Sequence, residues 1–312
     1  MSSDNSGDPQ LHWLADPLVL VPLALFAGIY IWRFAQARKE VGAGGGGAGG
    51  GGVGARGGGA GGGGAGGGGA AARGVGPLQA LAFAGGMLAL LAALVSPLDG
   101  LGEDYLFSAH MVQHVLLGDL APLLILLGLS RVILRPVTRR LTSVERRLGP
   151  LASPATGLIA WLVLMYLWHI PALYDAAVEH PLVHLLEHVS FFAAGVALWW
   201  PLIQPVPMRR KLTGLQPVAY IGTAKAGLAA LGIFLTWSTT AIYPYYEDTP
   251  RIWGLSPVED QNVAGVIMMA EQSLTLALVL VALFVRMLAQ SETEQVRRER
   301  LEERQAEAAR GA

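Results

Sequence analysis

Seven apolar stretches, each close to the roughly 20 residues a helix needs to cross a bilayer core, decide what this chain can become. They run Pro17–Ala35, Pro77–Val95, Phe107–Leu129, Ala155–Tyr174, Pro181–Ile203, Pro217–Ala241 and Gln261–Leu288. Hydrophobic residues make up 53% of the chain and charged residues 14%, too apolar for an ordinary soluble domain. The expectation is an all-α integral membrane protein with about seven transmembrane helices. The third stretch is the least regular, because Asp119 and Pro122 interrupt it.

The charges between these stretches alternate. Arg33/Arg38/Lys39, Arg131/Arg135/Arg139/Arg140/Arg146/Arg147, Arg209/Arg210/Lys211 and an Arg-rich tail fall on one side. Asp4/Asp8/Asp16, Asp99/Glu103/Asp104, Asp175/Glu179 and the run from Glu247 to Asp260, opposed only by Arg251, fall on the other. The positive-inside rule therefore predicts an outer N-terminus and a cytoplasmic C-terminus. The acidic N-terminal tail has no basic region, so the first stretch reads as a retained helix and not a cleaved signal. The organisation expected is an outer tail (1–16), a first helix (17–36), a Gly/Ala-rich cytoplasmic linker (37–76), a six-helix membrane core (77–290) and a charged tail (291–312). Gly42 to Gly74 contains many GxGxxG matches, but no strand precedes them, so they carry no phosphate chemistry; the segment reads as a disordered coil. A formal net charge of −1 gives no reason to expect nucleic acid. The lipid bilayer itself is the partner that this composition demands.

Two strings, His110-Met-Val-Gln-His114 and His184-Leu-Leu-Glu-His188, put paired imidazoles four residues apart, hence on one helix face each. With the topology above, all seven histidines of the chain fall on the outer side. His169 ends the fourth stretch, while His180 and His12 read as loop or tail residues. A lone interfacial histidine is ordinarily a snorkelling polar residue. Five on three helix ends at one depth point instead to a metal or haem site made of His110, His114, His169, His184 and His188. The chain has no cysteine, which excludes thiolate ligands and covalent haem attachment.

Thioethers are then the soft donors available. Met111 adjoins His110, and Met165 lies one turn from His169. Imidazole with thioether suits copper, above all Cu(I), whereas imidazole with carboxylate suits zinc or iron. Methionine in such a helix is also ordinary packing. Glu187 is expected on a different face from its two histidines, as an outer partner for a neighbouring imidazole or a headgroup-facing residue. Glu271 falls near the bilayer middle, where a carboxylate is either functional or a protonated packing residue. Lys225 is expected to snorkel to the cytoplasmic end, Asp119 to face the bundle, and Asp260 to cap the last helix.

Four ordered motifs carry a resemblance. Ala109-His-Met-Val-Gln-His114, Trp168-His-Ile-Pro-Ala-Leu-Tyr-Asp-Ala176, His184-Leu-Leu-Glu-His188 and Trp253-Gly-Leu-Ser-Pro-Val-Glu-Asp-Gln-Asn-Val-Ala-Gly-Val-Ile-Met268 resemble the CtaG family of cytochrome c oxidase assembly proteins, associated with caa-type oxidases. The likeness spans roughly Pro77 to Leu288. It implies a multi-pass protein of the bacterial plasma membrane, not an enzyme, that matures cytochrome c oxidase subunits by handling copper on the outer side. The five histidines and the Tyr174–Asp175 pair match family positions. Met269-Ala-Glu271 departs from the aromatic and Pro-Gly continuation usual in the family, and the Gly/Ala-rich insert has no counterpart there. Two other readings compete. One is an intramembrane zinc hydrolase of the seven-helix ceramidase type, with Asp175 or Glu187 as activating carboxylate; the motif order does not fit it. The other is a haem-binding membrane cytochrome, for which the histidines lie too near one surface.

Overall fold

A computed structural model describes residues 12–45 and 75–310, and all described regular structure is helical. Helix α1 spans Pro17–Gly45, α2 Pro77–Leu94, α3 Leu98–Asp104 and α4 Phe107–Val115. A π turn, Leu116–Leu120, joins α4 to α5, Ala121–Gly128. Then follow α6 Arg135–Leu148, α7 Pro154–Trp168, α8 Pro171–Glu179, α9 Pro181–Ile203, α10 Gln216–Trp237 and α11 Pro257–Arg310. Prolines open α2, α7, α8, α9 and α11, where the missing N–H costs nothing and the fixed φ favours helix. Six helices are long and apolar enough to cross a membrane. A seventh crossing results if the segment Arg135–Leu151 and α7, bent by 76°, count as one span. The chain is a multi-pass membrane protein.

Three boundaries differ from the sequence expectation. Helix α1 continues beyond residue 36 to Gly45, with Glu40 paired to Arg33 and Arg135 at 3.6 Å each; residues 46–74 of the Gly/Ala-rich linker lie outside the described residues. The fourth stretch is not one helix. Pro171 forces Ile170 into extended backbone (ψ 123°), so α7 stops at Trp168 and His169 is left at the break. The last stretch and the charged tail form a single helix of 54 residues.

The irregularity expected at Asp119 and Pro122 takes a definite form. Pro122 has no N–H to return to Gly118, so an α-helical ladder fails there. The π turn absorbs the fault, with the Ala121 amide donating five residues back to Leu116. Directly beside it, Gly195 of α9 packs so close to the Gly118 carbonyl that a Cβ would overlap it. Small residues at such crossings let membrane helices approach.

Several polar residues inside the bundle are paired. Lys225 does not snorkel; it is 1% exposed and donates to Asp119 of the π turn and, at 3.5 Å, to Glu271 of α11. Trp199 Nε1 donates to Asp119 at 2.8 Å and Thr275 to Glu271 at 2.6 Å. Asp260 does not cap α11. That helix is capped reciprocally by Ser256 and Glu259. Asp260 instead accepts the Phe107 and Ser108 amides (2.6 and 3.2 Å), capping α4 from across the bundle.

Removing one partner of a buried ion pair strands the other. Lys225→Met is expected to destabilise the protein by about 3–5 kcal/mol. Adding Asp119→Asn should recover much of that loss, read as thermal unfolding in detergent.

Candidate metal centre

Helices α4 and α9 face each other at the acidic end of the bundle. Along α9, His184, Glu187 and His188 stand at i, i+3 and i+4, positions that lie together on one helix face. All three are buried. Glu187 is thus not turned away from its histidines: three residues is 60° short of a full turn, so its carboxylate points the same way. Opposite stands His110 of α4, 0% exposed. One donor atom from each of His110, His184, Glu187 and His188 lies within 4.8 Å of all the others. This buried group can hold a metal ion.

His114, one turn along α4, packs against His110 with ring centroids 4.2 Å apart. Its Nε2 lies 3.5 Å from Glu187 Oε1, and His110 Nε2 lies 3.8 Å from Oε2, both too long for hydrogen bonds. His169 stands further from the group, its ring 6.3 Å from that of His114. Its Nδ1 is 2.6 Å from the Met165 carbonyl oxygen, which can only accept. Nδ1 therefore carries the proton and Nε2 presents a lone pair. The same logic holds for His184, whose Nδ1 donates to Glu103 at 2.5 Å and leaves Nε2 facing the group.

Every imidazole of this cluster keeps at least one ring nitrogen buried without a hydrogen-bond partner, and so does each oxygen of Glu187. Buried polar atoms are nearly always satisfied, and an ion is one of the few things that explains a convergent set left unsatisfied. Three imidazoles and one carboxylate fit zinc, copper or iron.

The remaining expected residues divide. Met111 and Met165 line a small cavity beside His114 and His169. Tyr174 packs edge-on against His110 at 5.1 Å. Its hydroxyl donates to Tyr246 (2.8 Å), which donates to the Gly102 carbonyl (2.6 Å); burial holds both phenols protonated, well above their ordinary range. Asp175 lies outside the group, its carboxyl pushed up by partial burial and then by Glu179. Glu271 sits with Lys225, deeper in the bundle. His180 is exposed between α8 and α9, and His12 is exposed before α1. Two residues were missed. Glu103 stood out in sequence only as loop charge, and Met268, which lines the same cavity as Met111 and Met165, only as the end of a motif. Neither has local spacing that could reveal a partner on another helix.

Residues 67–290 match the family of the cytochrome c oxidase caa3 assembly factor (Caa3_CtaG). The chain belongs to that family. It is also similar to an uncharacterised protein of Mycobacterium leprae, 26% identical over 216 residues, covering 62% of this chain and 32% of that protein. Uncharacterised proteins of Mycobacterium bovis and Mycobacterium tuberculosis are each 27% identical over 194 residues, covering 57% of this chain and 29% of theirs. The chain spans about a third of the length of these curated relatives. No solved structure matches it.

Glu103 fixes the ring of His184, so Glu103→Gln is expected to weaken zinc or copper binding by roughly 10- to 100-fold without removing a ligand. A competition titration of the purified protein against a chelator checks this.

Proposed function

We propose that this chain matures cytochrome c oxidase by holding copper at the His/Glu centre on the outer face of the bacterial plasma membrane and passing it to an oxidase subunit. Family membership supports the oxidase; the set of unsatisfied, buried ring nitrogens around Glu187 supports the metal, and is the observation that carries the reading. The acidic loops at the same end suit a cation approaching from outside, and the basic loops at the other end suit the cytoplasm. His110, His184 and His188 would bind the ion as neutral imidazoles. Glu187 would neutralise one of its charges, which matters where the surroundings are apolar. His114 stands ready as a further nitrogen donor, and His169 offers another beyond it. Ligands shared between two helices can be separated by a shift of one against the other, which suits a carrier more than a resident cofactor. The donor set also accommodates zinc, so elemental analysis is the first reading to take.

Replacing His110 and His114 together by Ala should leave the protein in the membrane while the strain's oxidase loses copper and activity. A normal copper content in that oxidase would overturn the delivery role. Orientation has its own test, because the chain has no cysteine of its own. A cysteine at Asp104 should react with a membrane-impermeant maleimide in intact cells, and one at Arg140 only after lysis. The reverse pattern would place the centre on the cytoplasmic side.

A further inference from the structure

Next to the His/Glu centre, deeper in the bundle, lies a cavity of about 20 Å³. That is room for one water or one bare ion. Its walls include Met111 from α4, Met165 from α7 and Met268 from α11, with His114 and His169 beside them. All three methionines are buried, at 1%, 5% and 4% exposure. Asp119 and Glu271 line the same space.

From these we infer a second metal site in this cavity, built for a soft monovalent cation of the cuprous type. Packing methionines fill gaps, because the side chain is flexible and unbranched. Here three of them, from three helices, surround a gap that remains. His169 supplies the observation that packing does not explain. Its Nδ1 proton is committed to the Met165 carbonyl, and its buried Nε2 has no hydrogen-bond partner although it borders the cavity. Both nitrogens of His114 are likewise without hydrogen bonds. With Asp119 and Glu271 committed to Lys225, the open donors on the wall are thioethers, neutral imidazoles and the unpaired Oε1 of Gln272; thioether with imidazole favours Cu(I).

Thioethers and neutral imidazoles bring no charge of their own, and Asp119 and Glu271 are already paired with the ammonium of Lys225. In the centre above, by contrast, the four converging donors are three imidazoles and the carboxylate of Glu187. His114 borders the cavity and stands 3.5 Å from Glu187, which makes it the residue common to both sites.

This inference rests on the copper reading and adds to it an oxidation state and a second location. The test uses the purified full-length chain in detergent, with Ag(I) as a redox-silent probe of the soft site and Zn(II) as a probe of the His/Glu centre. Substituting Met111, Met165 and Met268 together by Leu nearly conserves volume and is tolerated in cores. That variant should lose Ag(I) affinity by more than the roughly 10- to 100-fold that removal of an outer partner costs, while its Zn(II) affinity stays within a few-fold of the parent. Glu187→Gln with His188→Ala should do the opposite. Met269→Leu, beside Met268 but not on the cavity wall, should change neither. Unchanged Ag(I) affinity in the triple variant would overturn the second site and leave the His/Glu centre standing. Failure of the parent protein to bind either ion would overturn both.

Discussion

The ammonium of Lys225, held between Asp119 and Glu271, is the interaction on which the rest of the bundle depends. Charges carried into an apolar bundle must be paired internally, because neither lipid nor water will do it. Three elements meet at this point: the π turn contributes Asp119, α10 the lysine and α11 the glutamate. Trp199 adds α9 through its indole N–H. Sliding any one of these helices by a turn would strand a charge. The contact therefore sets the register of α10 against α11 and of both against the π turn. Those registers place Met268 and Asp260 opposite α4, and Asp260 in turn holds the start of α4 through the Phe107 and Ser108 amides.

The same rule separates structural polar residues from candidate functional ones. In the deep triad the ammonium and both carboxylates have partners. Gln113 bridges the Ala93 carbonyl and Asp99 at 2.9 and 2.5 Å, holding α4 against α2 and the start of α3. Around Glu187 the account does not close: five imidazoles and a carboxylate are buried together, and several of their donor atoms face only one another. Elsewhere among the described residues the unpaired buried atoms are scattered, as at Gln113 Oε1 and Trp161 Nε1, whereas around Glu187 they converge. The open set is where a cation fits.

Much of the fold was legible in the sequence because apolar length and loop charge are local properties. Six crossings and the tail helix follow from them. What was not legible is where a helix yields. Pro171 ends α7 through its effect on Ile170, and Pro122 is accommodated by a π turn; both residues were visible, but either one could have kinked, broken or bulged its helix. Asp260 shows the related difficulty for side chains. Its position beside the start of a helix matched a cap, yet Ser256 had already satisfied that end, and the carboxylate was free to cap a helix more than a hundred residues away in sequence.

The candidate site was legible to the extent that its residues share a helix. The spacing of His184 and His188 announces one face, and that of His110 and His114 another, but spacing cannot say that the two faces meet. Glu187 was misplaced for a subtler reason. An i, i+4 pair draws attention to two residues, although the i+3 position lies almost as close to the first of them. Glu103, Met268 and Lys225 were out of reach for the opposite reason. Each acts on a residue of a different helix, and nothing in a single helix's pattern encodes which neighbour it will face. Helix periodicity yields faces. The pairing of buried charges decides which faces come together, and only after that pairing do the five histidines resolve into a group around Glu187 and a pair beside the methionines.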